Sequence, residues 1–290
     1  MRIGIGLPTQ TRDVSAAIIP EWASRAEKAG FASLATIGRT AYPGAMDTAA
    51  LAGAAAVTST IELTSTVMLA TVWPPVLFAK ELASIDAMSG GRLTLGLGIG
   101  GDRPDDFVVE GLPARGLGKR IDSDLETYHR VWRGEPVGGG VNAAVPAGTR
   151  AIPLMFGGMA PASFERMAKW GEGYIGGSLP AADIQPCFES ARQAWKDGGR
   201  EGSPRLVAIA YFVFGEIDAG RENIRDYYAA IGDDLAGAIS GNVHAGPDGV
   251  MAAVESFAAI GADDLIFNPA FPDLKEIDKL AEVVLENSAR

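Results

Sequence analysis

Short apolar runs alternate with stretches whose apolar residues recur at helical spacing along most of the chain. The runs that read as strands are Arg2–Thr9, Phe31–Ile37, Ile61–Leu69, Arg92–Leu97, Pro153–Phe156, Tyr174–Ile175, Arg205–Phe214 and Asp264–Asn268. The helical stretches are Ala16–Ala29, Asp47–Val57, Pro75–Met88, Lys119–Trp132, Pro161–Trp170, Asp183–Gly198, Arg221–Ile231, Val250–Ile260 and Leu274–Ser288. The punctuation agrees with these bounds. Gly30 follows the first helix, where a left-handed cap residue is wanted. Asp47 suits a helix N-cap, and Pro75 occupies a first turn, where no donor is needed. The rhythm loosens in Gly101–Leu117, which is polar and loop-like, and in Gly134–Arg150, which is rich in Gly, Ala and Pro and reads as mobile. A third, less regular stretch runs up to Pro247. Several strands are apolar on both faces, as in a buried parallel sheet. Eight strands, each followed by helix, predict an α/β chain folded as a (β/α)8 TIM barrel, with an open doubly wound sheet as the alternative.

Composition narrows the setting. The chain has 290 residues, a length that suits one barrel domain over 1–290. Asp plus Glu number 36 against 25 Lys plus Arg, a net charge of −11, which argues against nucleic-acid and anionic-membrane partners. One Cys cannot form an internal disulfide. No apolar run reaches the ~18 residues of a membrane span. The start, Met1-Arg2-Ile3-Gly4-Ile5-Gly6, reads as a strand and not as a signal segment. The expected location is the cytoplasm.

In a barrel, chemistry collects where strands hand over to the following loops. Those positions are Thr9 and Gln10, Gly38 and Arg39, Val67 and Met68, Gly98 to Gly101, Gly157 and Gly158, Gly176 to Ser178, Gly215, and Asn268. Glycine dominates, and glycine lets a ligand approach the backbone closely. Gly96-Leu97-Gly98-Ile99-Gly100-Gly101 matches a dinucleotide fingerprint literally. It lacks the helix and the later acidic strand end that the fingerprint requires, so a strand end kept small fits better. The glycine pairs 157–158 and 176–177 suit a phosphate at a helix N-terminus or plain turns, and both readings stand. His129 falls inside a helix, and His244 has no visible partner. No cluster has metal-ligand spacing, and Cys187 falls within a helix. Met68, Trp73, Phe107 and Met159 line a pocket or belong to the core.

Longer runs carry a resemblance. Ile61–Leu69, Pro75, and the stretch Ala79–Gly100 with its Ala-Ser-Ile-Asp and Ser-Gly-Gly-Arg-Leu segments resemble the bacterial luciferase-like flavin-utilising monooxygenase family. Within it, the short chain and the Gly-Leu-Gly-Ile-Gly strand end are most similar to the coenzyme F-420-dependent oxidoreductase branch. Glu27–Phe31, Leu125-Glu126, Val131–Gly134, Pro153–Gly158, Gly246–Val250 and Ile260–Asp263 fit in the same order.

The resemblance implies a (β/α)8 barrel with insertions after strands four and seven, where the loosened stretches fall. It implies coenzyme F-420 or FMN in the barrel mouth and a small-molecule substrate. A non-prolyl cis peptide in strand three would prop the ring; the matching bond is Thr66–Val67, with Met68 next. Gly98 and Gly100 would border the cofactor, and Gly157, Gly158, Met159, Gly176, Gly177 and Ser178 would hold its phosphate end. Loops 101–117 and 134–150 would cover the mouth, and the assembly would be a homodimer. The chain departs from the branch at two places. Gly38-Arg39 stands where Asp-His is common after strand two, and Gly101, followed by Asp102, stands where Glu is common after strand four. Arg39 cannot act as a base. It is expected either to anchor an anionic substrate or ring as the catalytic residue, or to form a salt bridge at the rim. The implied function is hydride transfer between coenzyme F-420 and a small organic substrate. The alternatives are a monooxygenase using FMNH2 from a separate flavin reductase, and a non-catalytic flavin-binding protein.

Overall fold

The computed structural model describes residues 1–100 and 103–285, so Gly101, Asp102 and the expected helix end at Ser288 lie outside the described residues. In chain order the elements are β1 (Arg2–Gly6), α1 (Ile18–Ala29), β2 (Ser33–Thr36), α2 (Asp47–Val57), β3 (Glu62–Ser65), β4 (Met68–Leu69), α3 (Pro75–Ser89), β5 (Leu93–Gly98) and α4 (Asp105–Val108). Then follow α5 (Leu117–Trp132), β6 (Leu154–Gly157), α6 (Pro161–Trp170), β7 (Gly173–Ile175), α7 (Ala181–Asp197), β8 (Arg205–Val213) and α8 (Ile217–Tyr228). The chain finishes with α9 (Asp233–Gly241), β9 (His244–Ala245), α10 (Gly246–Ala259), β10 (Asp264–Pro269) and α11 (Lys275–Val284).

The strands pair in the order β1-β2-β3-β5-β6-β7-β8-β10, and β10 pairs in parallel with both β8 and β1. That closes the sheet into the expected eight-stranded barrel. β3 and β4 are the two halves of one barrel strand, both beside β5. The expected run Ile61–Leu69 is interrupted between them by a cis peptide at Thr66–Val67. The irregular stretch before Pro247 holds α9 and the two-residue β9, which pairs with the end of β8.

Two layers of core follow from strand alternation. Ile5, Leu34, Leu63, Leu95, Phe156 and Phe267 belong to the layer between the sheet and the helices. Ala35, Met155, Ile175, Val207, Ile209, Tyr211 and Ile266 fill the barrel interior. The interior admits no more bulk at its glycines. A Cβ on Gly6 would overlap Asn268, one on Gly96 would run into the Ser65 carbonyl, and one on Gly173 would meet the Arg205 backbone.

The N-terminal end of the barrel is floored by charge. Arg2 Nε and Arg205 Nε each donate to the buried Asp264 carboxylate at 2.7 Å. The same two guanidinium groups donate to Glu62 at 2.9–3.0 Å. Four strands, β1, β3, β8 and β10, are thereby tied across the floor.

The stretch 134–150 does not cover the mouth, which corrects the expectation from sequence. Arg150 donates to both Asp86 oxygens at 2.8 and 2.7 Å and to the carbonyls of Gly91 and Leu93 at the start of β5. The segment is pinned toward the floor because the chain must return there from α5 to begin β6.

Steric filling of the interior is testable by thermal unfolding. Gly96→Ala is expected to lower stability by about 1–3 kcal/mol, because the neighbour is rigid backbone. Gly237→Ala, in α9 with open space around it, is expected to hold or gain stability by about 0.5–1 kcal/mol. Equal melting temperatures for the two variants would contradict this account.

Candidate active site

A cavity of about 270 Å³ opens at the C-terminal ends of the barrel strands. Its apolar walls come from Ile37, Val67, Leu69, Ile175, Ile209 and Ile239. Its polar lining is Thr66, Arg103, Ser178, Tyr227 and Tyr228, with backbone at Gly38, Gly157, Gly158, Gly176 and Gly177.

Val67 follows the break between β3 and β4 and stands against the cavity. The space it fills exists because its neighbours lack side chains: a Cβ on Gly98 would lie 2.6 Å from Val67 Cγ2, and one on Gly157 would lie 3.2 Å from Cγ1. Gly158 has φ of +104°, a conformation open to glycine, and turns the chain toward α6. Gly177 faces open space.

Seven of the residues expected from sequence therefore share this cavity: Thr66, Val67, Gly157, Gly158, Gly176, Gly177 and Ser178. Five do not line it. Gly98 lies behind Val67, and a Cβ on Gly100 would press on Leu69 and Phe107. Met68 is buried and borders a smaller neighbouring space with Asp47 and Trp73. Met159 is 66% exposed and lies in an outer groove between α6 and α7, away from the mouth.

Arg39 is the fifth. Its side chain is 3% exposed, its Nη2 pairs with Asp105 at 2.5 Å, and its Nε pairs with Asp106 at 3.1 Å. Nη1 donates to the Tyr227 carbonyl at 3.3 Å. All three nitrogens thus meet protein acceptors. The structure places Arg39 beside the cavity as a brace between the end of β2, α4 and α8, the salt-bridge alternative of the two expected from sequence.

Tyr227 and Tyr228, at the end of α8, form the aromatic side of the mouth. The Tyr228 hydroxyl is 3.0 Å from Ser178 Oγ and 3.0 Å from the Tyr211 hydroxyl, giving a chain of three hydroxyls. Burial pushes the Tyr211 and Tyr227 hydroxyls well above the ordinary tyrosine range, so both are protonated donors at neutral pH. The sequence reading missed these two tyrosines and Arg103. A Tyr-Tyr pair at a helix end was the available signal, but only the packing of α8 over the mouth gives it meaning.

Asp47, at the start of α2, is a buried acid beside the cavity. Its Oδ1 and the nearby Thr36 Oγ1 have no hydrogen-bond partner among the described residues. Burial raises its pKa to about 6, opposed by the Thr36 hydroxyl alongside. The two histidines are also shifted by burial, downward, and neither lines the cavity; His129 stacks on Trp170 at 4.9 Å.

A sequence profile of the luciferase-like monooxygenase family matches residues 1–264. An uncharacterized protein of Mycobacterium tuberculosis is 30% identical over 169 residues, which is 55% of this chain and 59% of the relative. A second uncharacterized protein of that organism is 26% identical over 162 residues, 53% of this chain and 56% of the relative. These alignments span less than two thirds of the curated relatives' length. Among solved structures, a coenzyme F-420-dependent secondary alcohol dehydrogenase with a bound F-420–acetone adduct superimposes with a TM-score of 0.78 at 17% identity, covering 98% of this chain and 99% of that one. A monooxygenase from Streptomyces bottropensis gives 0.77 at 22% identity, covering 99% and 100%. The coenzyme F-420-dependent tetrahydromethanopterin reductase of Methanopyrus kandleri gives 0.72 at 19%, covering 99% of each. At these identities the likeness is one of fold.

Two outcomes follow from the site's electrostatics. Arg39→Met leaves Asp106, which is fully buried, without a cation, and is expected to cost about 3–5 kcal/mol in a denaturant titration. Adding Asp106→Asn should recover part of that loss, and no recovery would contradict the pairing. Asp47 holds its proton up to about pH 6 when folded, against 3.8 when unfolded. Its contribution to stability is therefore present below pH 3.8 and lost as pH rises through about 6. Asp47→Asn is expected to gain about 3 kcal/mol over wild type above pH 7 and nothing below pH 4. A pH-independent difference would refute the buried-acid reading.

The chain belongs to the luciferase-like monooxygenase family, since the profile covers most of its length.

Proposed function

We propose that this member of the luciferase-like monooxygenase family is an oxidoreductase that passes a hydride between a small organic substrate and coenzyme F-420 or FMN. The carrying observation is the cavity itself: an apolar shelf at Val67, cleared by Gly98 and Gly157, beside glycine turns and Arg103, the one cation lining it among the described residues. Those residues fit a flat ring with an anionic tail. Bound there, the cofactor would supply the ring that accepts or gives the hydride.

The chain's own residues would do the rest. Val67, Leu69 and Ile175 offer a dry face on which a ring can rest. Gly157, Gly158, Gly176 and Gly177 let a tail lie close to backbone. The brace from Arg39 to Asp105 and Asp106 holds α4, and so sets where Arg103 faces the mouth. The hydroxyl chain from Ser178 through Tyr228 to Tyr211 can hold or move a proton at the Tyr228 hydroxyl.

One observation favours a second reading. No carboxylate or imidazole lines the cavity among the described residues, so a substrate that must lose a proton to a protein base is poorly served. A monooxygenase supplied with FMNH2 by a separate reductase does not meet that difficulty.

A fluorescence titration of purified apo-protein separates the readings. Micromolar binding of coenzyme F-420 with weak binding of FMN is the expected result. Preference for FMN, with dioxygen uptake that depends on added FMNH2, would favour the monooxygenase. Failure to bind either would overturn both.

A further inference from the structure

Among the described residues, Arg103 is the one charged side chain that lines the cavity. Its guanidinium lies 5.0 Å from the centre of the Tyr227 ring and 4.8 Å from that of Tyr228. It forms no ion pair with a carboxylate among the described residues. The two acids that follow it, Asp105 and Asp106, are taken by Arg39. Ring faces attract a cation, but less strongly than a partly desolvated charge ordinarily needs for compensation. Arg103 is thus held by aromatic faces and the neighbouring Tyr227 hydroxyl, with no carboxylate partner among the described residues.

A second observation points to the same place. Tyr227 lines the cavity, is 1% exposed, and its hydroxyl, near Arg103, makes no well-formed hydrogen bond among the described residues. A buried hydroxyl without a partner costs free energy unless something occupies it. The chain as a whole carries a net charge of −11, so an isolated cation in its cavity stands out from the surrounding field.

We infer that Arg103 and the Tyr227 hydroxyl form a receptor for an oxyanion, a phosphate or carboxylate group of the ligand that enters this cavity. The inference rests on the cavity being a ligand site, as proposed above. The planar fork of a guanidinium matches two oxygens of such a group, and the tyrosine donates to one of them. The oxyanion could be carried by the cofactor's tail or by the substrate.

The test measures binding, not turnover. Wild type, Arg103→Met, Arg103→Lys and Tyr227→Phe are titrated with FMN and riboflavin, and with coenzyme F-420 and its phosphate-free deazaflavin ribityl core. Inorganic phosphate and benzoate are followed by thermal shift on the same proteins. Circular dichroism and melting temperature without ligand verify that each variant is folded.

If the receptor holds the cofactor's phosphate, Arg103→Met loses at least tenfold in affinity for the phosphorylated member of a pair and little for the other. Arg103→Lys should retain part of the affinity, and Tyr227→Phe should lose severalfold. If it holds a substrate oxyanion, both cofactor affinities stay unchanged, but stabilisation by benzoate or phosphate disappears in Arg103→Met. Wild-type affinity of Arg103→Met for every one of these probes overturns the receptor, even while riboflavin or the deazaflavin core still binds. No response of wild type to phosphate or benzoate, together with no preference for the phosphorylated cofactors, also overturns it. Loss of all flavin binding in wild type, with the phosphate response intact, would instead remove the oxidoreductase reading and leave the receptor standing.

Discussion

Four charges at the floor of the barrel set the geometry on which the mouth depends. Arg2 and Arg205 share Asp264 and Glu62, and those side chains belong to the first, seventh, eighth and third barrel strands. Each arginine bridges two carboxylates and each carboxylate meets two arginines, so no charge in the quartet is left uncompensated. The arrangement joins β10 to its neighbours on either side, at the seam where the last strand meets the first. Closure at that seam is what brings eight strand ends to a common rim. Without it, Thr66, Gly157, Ser178 and Tyr228 would belong to separate edges of a sheet.

Much of the barrel was legible from the alternation of apolar runs, because buried parallel strands and amphipathic helices write themselves into short windows. All eight strands fall where the pattern puts them. The third reads as continuous, since nothing local in Ser65-Thr66-Val67-Met68 marks the break; only the family likeness points to Thr66–Val67. That likeness rests on residues that are themselves structural. Glu27 accepts from the backbone of Ser59, Thr60 and Ile61, which lowers its pKa to about 2 despite burial acting in the opposite sense. Asp86 takes Arg150, and Arg92 donates to the Thr58 and Ile61 carbonyls. These staples hold helices to strand starts, at the end of the barrel away from the cavity. They identify the architecture and say little about the ligand.

The mouth was only half legible for the same reason. Glycines at strand ends can be read in one dimension, so Gly157, Gly158, Gly176 and Gly177 were found. Arg39 also sat at a strand end, but its partners come from α4, far along the chain, and their carboxylates decide its role. Arg103, Tyr227 and Tyr228 meet only after α8 folds back across the opening. A cation over two aromatic faces has no signature in a sequence window, because its members are more than a hundred positions apart. The rim therefore divides into a brace centred on Arg39 and the cavity-lining cation Arg103 that we propose recognises the ligand, with α4 mechanically joining the two.

The contrast between an acidic exterior and an isolated cation inside the mouth has a kinetic consequence. For an anionic ligand held as we propose, the field of a protein with net charge −11 would oppose approach, whereas the contact with Arg103 would oppose departure. The two effects respond differently to salt. Repulsion at a distance is screened over roughly 8 Å at physiological ionic strength, but a contact in a sheltered cavity is screened much less. Raising salt would then speed entry while leaving residence time nearly unchanged, so affinity would rise with ionic strength over the low range. That is the reverse of the usual behaviour of a site that gathers anions with a basic surface. Selectivity in such a cavity resides in the dissociation step, governed by how well the bound group fits the guanidinium fork, and not in the encounter.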